Sequence, residues 1–208
     1  MHRRLVAGCR ISTCLLIGLL ALAATGAAAT EPTEQLKASI DRVLAVLEDP
    51  KLKPAPTAPE RSAAVRKIAD DIFDFDEIAQ RSLARHWRML TDEQRQEFVH
   101  LFSDLLERSY MSKIELYSGE PIQYTGERVD GDLATVTTRI ITKNGTEVPI
   151  DYRMLKHGAG WLVFDVIIEG VSLVANYRAQ FNTVIQKASY AELVKKMRAR
   201  VAELHAPR

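Results

Sequence analysis

Between Gly119 and Pro121 the hydrophobic period of this chain changes from helical to extended, and near Ser172 it changes back. That pair of switches limits the fold more than any other feature, because it sets helices, then a meander of strands, then helices again. Upstream, Leu36, Ile40, Val43, Leu44 and Leu47 recur at helical spacing, and four prolines between Pro50 and Pro59 break the pattern. A helix resumes near Glu60 with Val65, Ile68, Ala69 and Ile72. Asp74 with Glu77 starts a short helix that the pattern carries through Leu83 toward Trp87. Thr91 with Gln94 starts a longer one whose stripe is Phe98, Leu101, Phe102, Leu105 and Leu106, continuing through Tyr110, Ile114 and Tyr117.

After Pro121, strands are expected over Ile122–Val129 and Leu133–Thr142, joined at Asp130-Gly131, and a third follows the Asn144-Gly145 turn. In the third, Val148, Ile150, Tyr152 and Met154 share one face and Glu147, Pro149, Asp151 and Arg153 the other. Trp161–Ile168 is the fourth, apolar on both faces except at Asp165. Ser172 caps a helix carrying Val174, Tyr177, Phe181, Val184 and Ile185, and Ser189 with Glu192 opens the last one. The expected fold class is α+β: a four-stranded antiparallel sheet of the nuclear-transport-factor-two-like kind, packed with several helices around an apolar interior.

The first 29 residues read as a cleavable signal peptide: cations at Arg3, Arg4 and Arg10, an apolar run from Ile11 to Leu22, then small residues ending Ala27-Ala28-Ala29. The run is shorter than the ~20 residues that span a bilayer. Cys9 does not act as a lipidation site, because its Val-Ala-Gly-Cys box precedes the apolar core instead of following it. Cleavage leaves residues 30–208 as one domain in the periplasm. It removes both cysteines, Cys9 and Cys14, so that domain has neither disulfide nor thiolate chemistry. It also takes three of the 28 basic residues and none of the 27 acidic ones, leaving 25 against 27 and a net charge of −2. A slightly acidic chain lacks the basic face that nucleic acid requires.

No nucleophile elbow, zinc helix, phosphate loop or dinucleotide fingerprint occurs. The acids Asp70, Asp71, Asp74, Asp76 and Glu77 are interleaved with Phe73, Phe75 and Ile78 and lack the glycine of a calcium loop, so helix capping explains them better than a metal does. Asp165, inside an apolar strand, is either a general base of raised pKa or a carboxylate satisfied by an arginine or by backbone donors. The remaining signal is a large set of inward aromatic and aliphatic residues. Periodicity does not separate a filled core from one that is hollow.

Two stretches carry a resemblance. Leu83–Leu106 (LARHWRMLTDEQRQEFVHLFSDLL) holds Trp87, Gln94-Arg95 and Phe98. Val148–Phe181 holds Trp161, Asp165-Val166, Gly170-Val171-Ser172-Leu173, Asn176-Tyr177-Arg178 and Phe181. Together they resemble the MlaC/toluene-tolerance family of periplasmic phospholipid-binding proteins, whose members often have glycine where this chain has Ala84. The resemblance implies a carrier, not an enzyme. Such a carrier needs no cofactor, holds phospholipid tails between sheet and helices, and shuttles lipid between an outer-membrane lipoprotein complex and an inner-membrane ABC transporter complex; a related branch is associated with hopanoids. On that basis the expected lipid-binding residues are Tyr152, Met154, Trp161, Val163, Val166 and Ile168 from the sheet and Phe98, Phe102, Leu105, Tyr110 and Phe181 from helices. They include both faces of the fourth strand, because the sequence does not say which face looks inward. A hinge in the Asp49–Pro59 segment would open the cavity. The competing functions are a small cone-fold enzyme using Asp165 and an interaction module with a filled core.

Overall fold

The computed structural model describes residues 31–205. The signal-peptide segment, residues 1–29, lies outside the described residues. Helix α1 (Pro32–Glu48) opens on a proline, whose missing N–H costs nothing in the first turn. After the proline-rich segment comes α2 (Ala58–Ile72). The Asp74 carboxylate accepts from the Glu77 amide at 2.9 Å and starts α3 (Phe75–Leu83). The expected continuation to Trp87 fails at Ala84, where φ 50° and ψ −120° turn the chain out of the α-helix and into a 3-10 helix over Ala84–Met89. Thr91 and Gln94 close both halves of a capping box on α4 (Asp92–Ile114), which ends before Tyr117.

The sheet runs in chain order with every neighbour antiparallel: β1 (Ile122–Asp130), β2 (Leu133–Ile141), β3 (Glu147–His157), β4 (Gly160–Ile168) and β5 (Val171–Ser172). It therefore has five strands where the hydrophobic pattern predicts four. The fifth is two residues long, too short to show a period. Glu169 and Gly170 turn it back onto β4 with φ of 50° and 80°. Helices α5 (Leu173–Lys187) and α6 (Tyr190–His205) follow, and the Ser172 hydroxyl accepts from the Ala175 amide at 3.0 Å.

Two separate cores form. Leu36 of α1 and Ile68 and Ile72 of α2 pack on the sheet residues Ala134, Val136, Met154, Trp161 and Val163. Helices α3 to α6 make the other around Phe98, Phe102, Phe181, Leu193 and Met197. Strand β4 joins them, and its outer edge is completed in pieces. The Gln35 amide bonds both backbone groups of Trp161, at 2.6 and 2.9 Å. The Asp74 N–H donates to the Val163 carbonyl at 2.9 Å, and β5 pairs with Ile167 and Ile168.

The β3–β4 register slips by one residue, leaving Phe164 with no opposite number. Met154 pairs with Val163, Tyr152 with Val166 and Ile150 with Ile168. Val163 and Val166 are three apart, and in a regular strand would face opposite ways. The bulge puts both on the face of Tyr152 and Met154, so one face of β4 carries all four of the residues expected there.

Asp165 is 4 % exposed and fully engaged. One oxygen accepts from the Ser172 hydroxyl at 2.6 Å, and the other from the Val174 amide at 3.1 Å. Arg153 stands 3.8 Å away. The carboxylate pins the start of α5 to β4. Asp165→Asn leaves one donor-facing atom mismatched and should cost about 2 kcal/mol of stability in denaturant unfolding; an unchanged midpoint would show the bonds to be dispensable. At Ala84 the positive φ strains any side chain, so Ala84→Gly should stabilise by about 1 kcal/mol, read as a rise in Tm.

Candidate functional site

Between the two cores lies a cavity of about 270 Å³, near the lower end of the ~300–1,000 Å³ usual for ligand sites. Its floor is Ile150 and Tyr152 of β3 with Val166 and Ile168 of β4. Its walls are Val65, Arg66 and Ala69 of α2, Phe102, Leu106, Tyr110, Met111 and Ile114 of α4, and Leu173, Val174 and Tyr177 of α5, with Phe73, Phe75 and Ile78 at the closed end. The same sheet face is thus covered by α1 and α2 at its Trp161 end and left as a cavity floor at its Ile168 end.

Of the sheet residues expected at the site, Tyr152, Val166 and Ile168 line this cavity, and so do Phe102 and Tyr110 from α4. Met154, Trp161 and Val163 instead fill the sheet core, and Phe98, Leu105 and Phe181 the helical core. The physical reason is that a filled and a hollow interior demand the same apolar periodicity. Sequence reasoning left out Val65 and Ala69, although both stand at inward positions of α2. It left out Phe164 because that residue belongs to a bulge.

The polar groups around the cavity are bonded to protein. The Tyr110 hydroxyl bonds Tyr177, and burial together with that neighbour pushes Tyr110 up to about 12. Burial likewise holds Tyr152 at about 12, against a hydrogen bond with Thr138 that lowers it. Both phenols are neutral at physiological pH. Burial disfavours the charge on Arg66, but its bonds to Glu107, Asp104 and Asp70 outweigh this and raise its pKa. Phe98, Phe102, Tyr177 and Phe181 stack with ring centroids 5.0–5.6 Å apart, a stiff wall behind the cavity.

The acid cluster is spent on helix caps and ion pairs. Asp70 pairs with Arg66, Asp71 with Arg42, Glu77 with Arg81, and Asp74 with both the Glu77 amide and His157. Among the described residues no three His, Cys, Asp or Glu side chains converge as a metal site. Asp165 touches the cavity wall, yet both its oxygens are committed to Ser172 and Val174. What the site offers is enclosure: apolar surface on all sides and no free polar group to do chemistry.

A phospholipid-binding protein from Ralstonia solanacearum, solved in complex with a phospholipid, superposes with a TM-score of 0.74 at 29 % identity, over 85 % of this chain and all of that one. The toluene tolerance protein ttg2D of Pseudomonas putida is 27 % identical over 126 residues, 60 % of this chain. The intermembrane phospholipid transport system binding protein MlaC of Haemophilus influenzae is 27 % identical over 120 residues, 55 % of this chain. These matches span 59 % and 56 % of the two relatives' own lengths, less than two thirds of either. The profile of the MlaC protein family matches residues 37–199. With a match that runs from α1 to α6 and takes in every wall of the cavity, the chain belongs to the MlaC family.

Proposed function

We propose that this protein is a periplasmic carrier that encloses phospholipid tails and moves the lipid between an outer-membrane lipoprotein complex and an inner-membrane ABC transporter complex, maintaining the lipid asymmetry of the outer membrane. The observation that carries this reading is an apolar cavity between sheet and helices, on the fold of a protein solved with a phospholipid. Residues 1–29 direct export and are removed, leaving residues 30–208 as the carrier. Among the described residues no helix is long and apolar enough to cross a membrane.

The energetics support a binding role without catalysis. Two acyl tails expose on the order of 30 methylenes, and leaving them in water costs roughly 24 kcal/mol at ~0.8 kcal/mol each. A carrier must remove most of that cost while keeping affinity low enough to release the lipid to its acceptor. A wall of Tyr152, Val166, Ile168, Phe102 and Tyr110, with neutral phenols and paired charges, meets the first requirement.

Native mass spectrometry of residues 30–208, followed by solvent extraction, should find one bound phospholipid. A hopanoid would keep the carrier reading and change its cargo. A mass that stays apo after incubation with phospholipid vesicles would overturn it. Ala69→Trp, which fills the cavity from α2, should lower bound lipid about tenfold while leaving Tm unchanged or higher; full loading of this variant would place the tails elsewhere.

A further inference from the structure

Most sides of the cavity are sealed by structure that cannot part cheaply. The floor is the hydrogen-bonded β3–β4 ladder, and the closed end is the buried helical core around Phe102 and Val174. The side between α2 and α4 is different. Helix α2 packs on α1 and the sheet, α4 packs on α6 and α3, and the backbones of α2 and α4 scarcely approach each other. Charge closes the gap. Arg61 on α2 holds Glu115 on α4 at 2.8 Å, with exposures of 16 and 29 %. Less than two turns further along α2, Arg66 binds Glu107, Asp104 at 3.1 Å and Ser103 at 3.1 Å. Arg66 and Glu107 themselves form part of the cavity wall, and Met111 and Ile114 lie between the two clusters on α4.

We infer, on the carrier reading above, that acyl tails enter and leave through the gap between α2 and α4, and that the ion pairs across it set the rate. Apolar packing would have to expose apolar surface to water in order to part. Half-buried ions part into water that rehydrates them, so the seam holds at rest and opens without wetting the cavity wall ahead of the lipid. A two-tailed lipid also needs more room than the resting cavity gives, and separating α2 from α4 supplies it without disturbing either core. The proline-rich segment ahead of α2 is tied to the same seam, because the Arg61 guanidinium also donates to the Leu52 carbonyl at 2.7 Å.

The test is the rate at which a fluorescent phospholipid, loaded into the full mature chain, leaves for an excess of phosphatidylcholine vesicles, whose zwitterionic surface keeps vesicle charge out of the comparison. Arg61 and Glu115 do not line the cavity, so changing them leaves its wall intact. Glu115→Lys should speed release about tenfold, equivalent to about 1.4 kcal/mol. Arg61→Glu combined with Glu115→Arg should return it close to the wild-type rate, with folding of each variant checked by circular dichroism. Release from the wild type should also quicken as salt rises from about 50 to about 500 mM. The proposal is overturned if folded Glu115→Lys releases lipid at the wild-type rate, or if the double variant is as fast as the single one. Should Glu115→Lys not fold, a wild-type release rate indifferent to salt overturns it by itself. A wild type that takes up no lipid removes the carrier reading and this inference with it, whereas normal uptake with unaltered rates removes this inference alone.

Discussion

The outer edge of β4 is the constraint on which the rest of the architecture depends. A strand with open N–H and C=O groups must find partners for them or leave them to water, and an open edge invites pairing with other chains. Here no single strand supplies the partners. Gln35 serves Trp161, the Phe73–Asp74 corner serves Val163, and the two residues of β5 serve Ile167 and Ile168. Each partner brings a helix with it: α1 from Gln35, the α2–α3 junction from Phe73–Asp74, and α5 from β5. Satisfying one edge thus fixes where four helices start or stop. Asp165, between the second and third of these, locks the last helix in place.

A chamber between two cores follows from that arrangement. The helices attached along β4 diverge, with α1 and α2 lying over the sheet and α3 to α6 packing beyond its edge. Neither group fills the wedge between them. Its lining draws on both: Val65 and Ala69 from one side, Phe102, Val174 and Tyr177 from the other. Stability is carried by the flanking cores, so the space between them can change occupancy without unfolding the protein. That separation is useful in a molecule whose task is to fill and empty repeatedly.

The sequence makes the boundaries of this fold easy to read and its interior hard. Caps at Asp74, Thr91 and Ser172 have local chemistry and mark their helices to the residue. The turn signals at Asp130-Gly131 and Asn144-Gly145 set the strand pairing. What is not local is not legible. Met154 and Tyr152 are two apart on one strand face, yet one is sealed in a core and the other lines the cavity, and nothing in their own neighbourhood distinguishes them. The departure at Ala84 is intermediate: a resemblance in which glycine often occupies this position hints at a special backbone, but only φ 50° with ψ −120° gives the reason.

The bulge at Phe164 carries an implication for how this segment can vary over time. Val166 and Ile168 face the chamber only because one surplus residue separates them from Val163. Substitutions here change the shape or polarity of the lining one position at a time. Loss of a single codon between Val163 and Val166 would do something of another order, inverting every following side chain and turning Asp165 away from α5. The tract should therefore drift freely in composition across descendants while its length stays frozen, so that gaps, more than mismatches, would mark a copy that has lost its function.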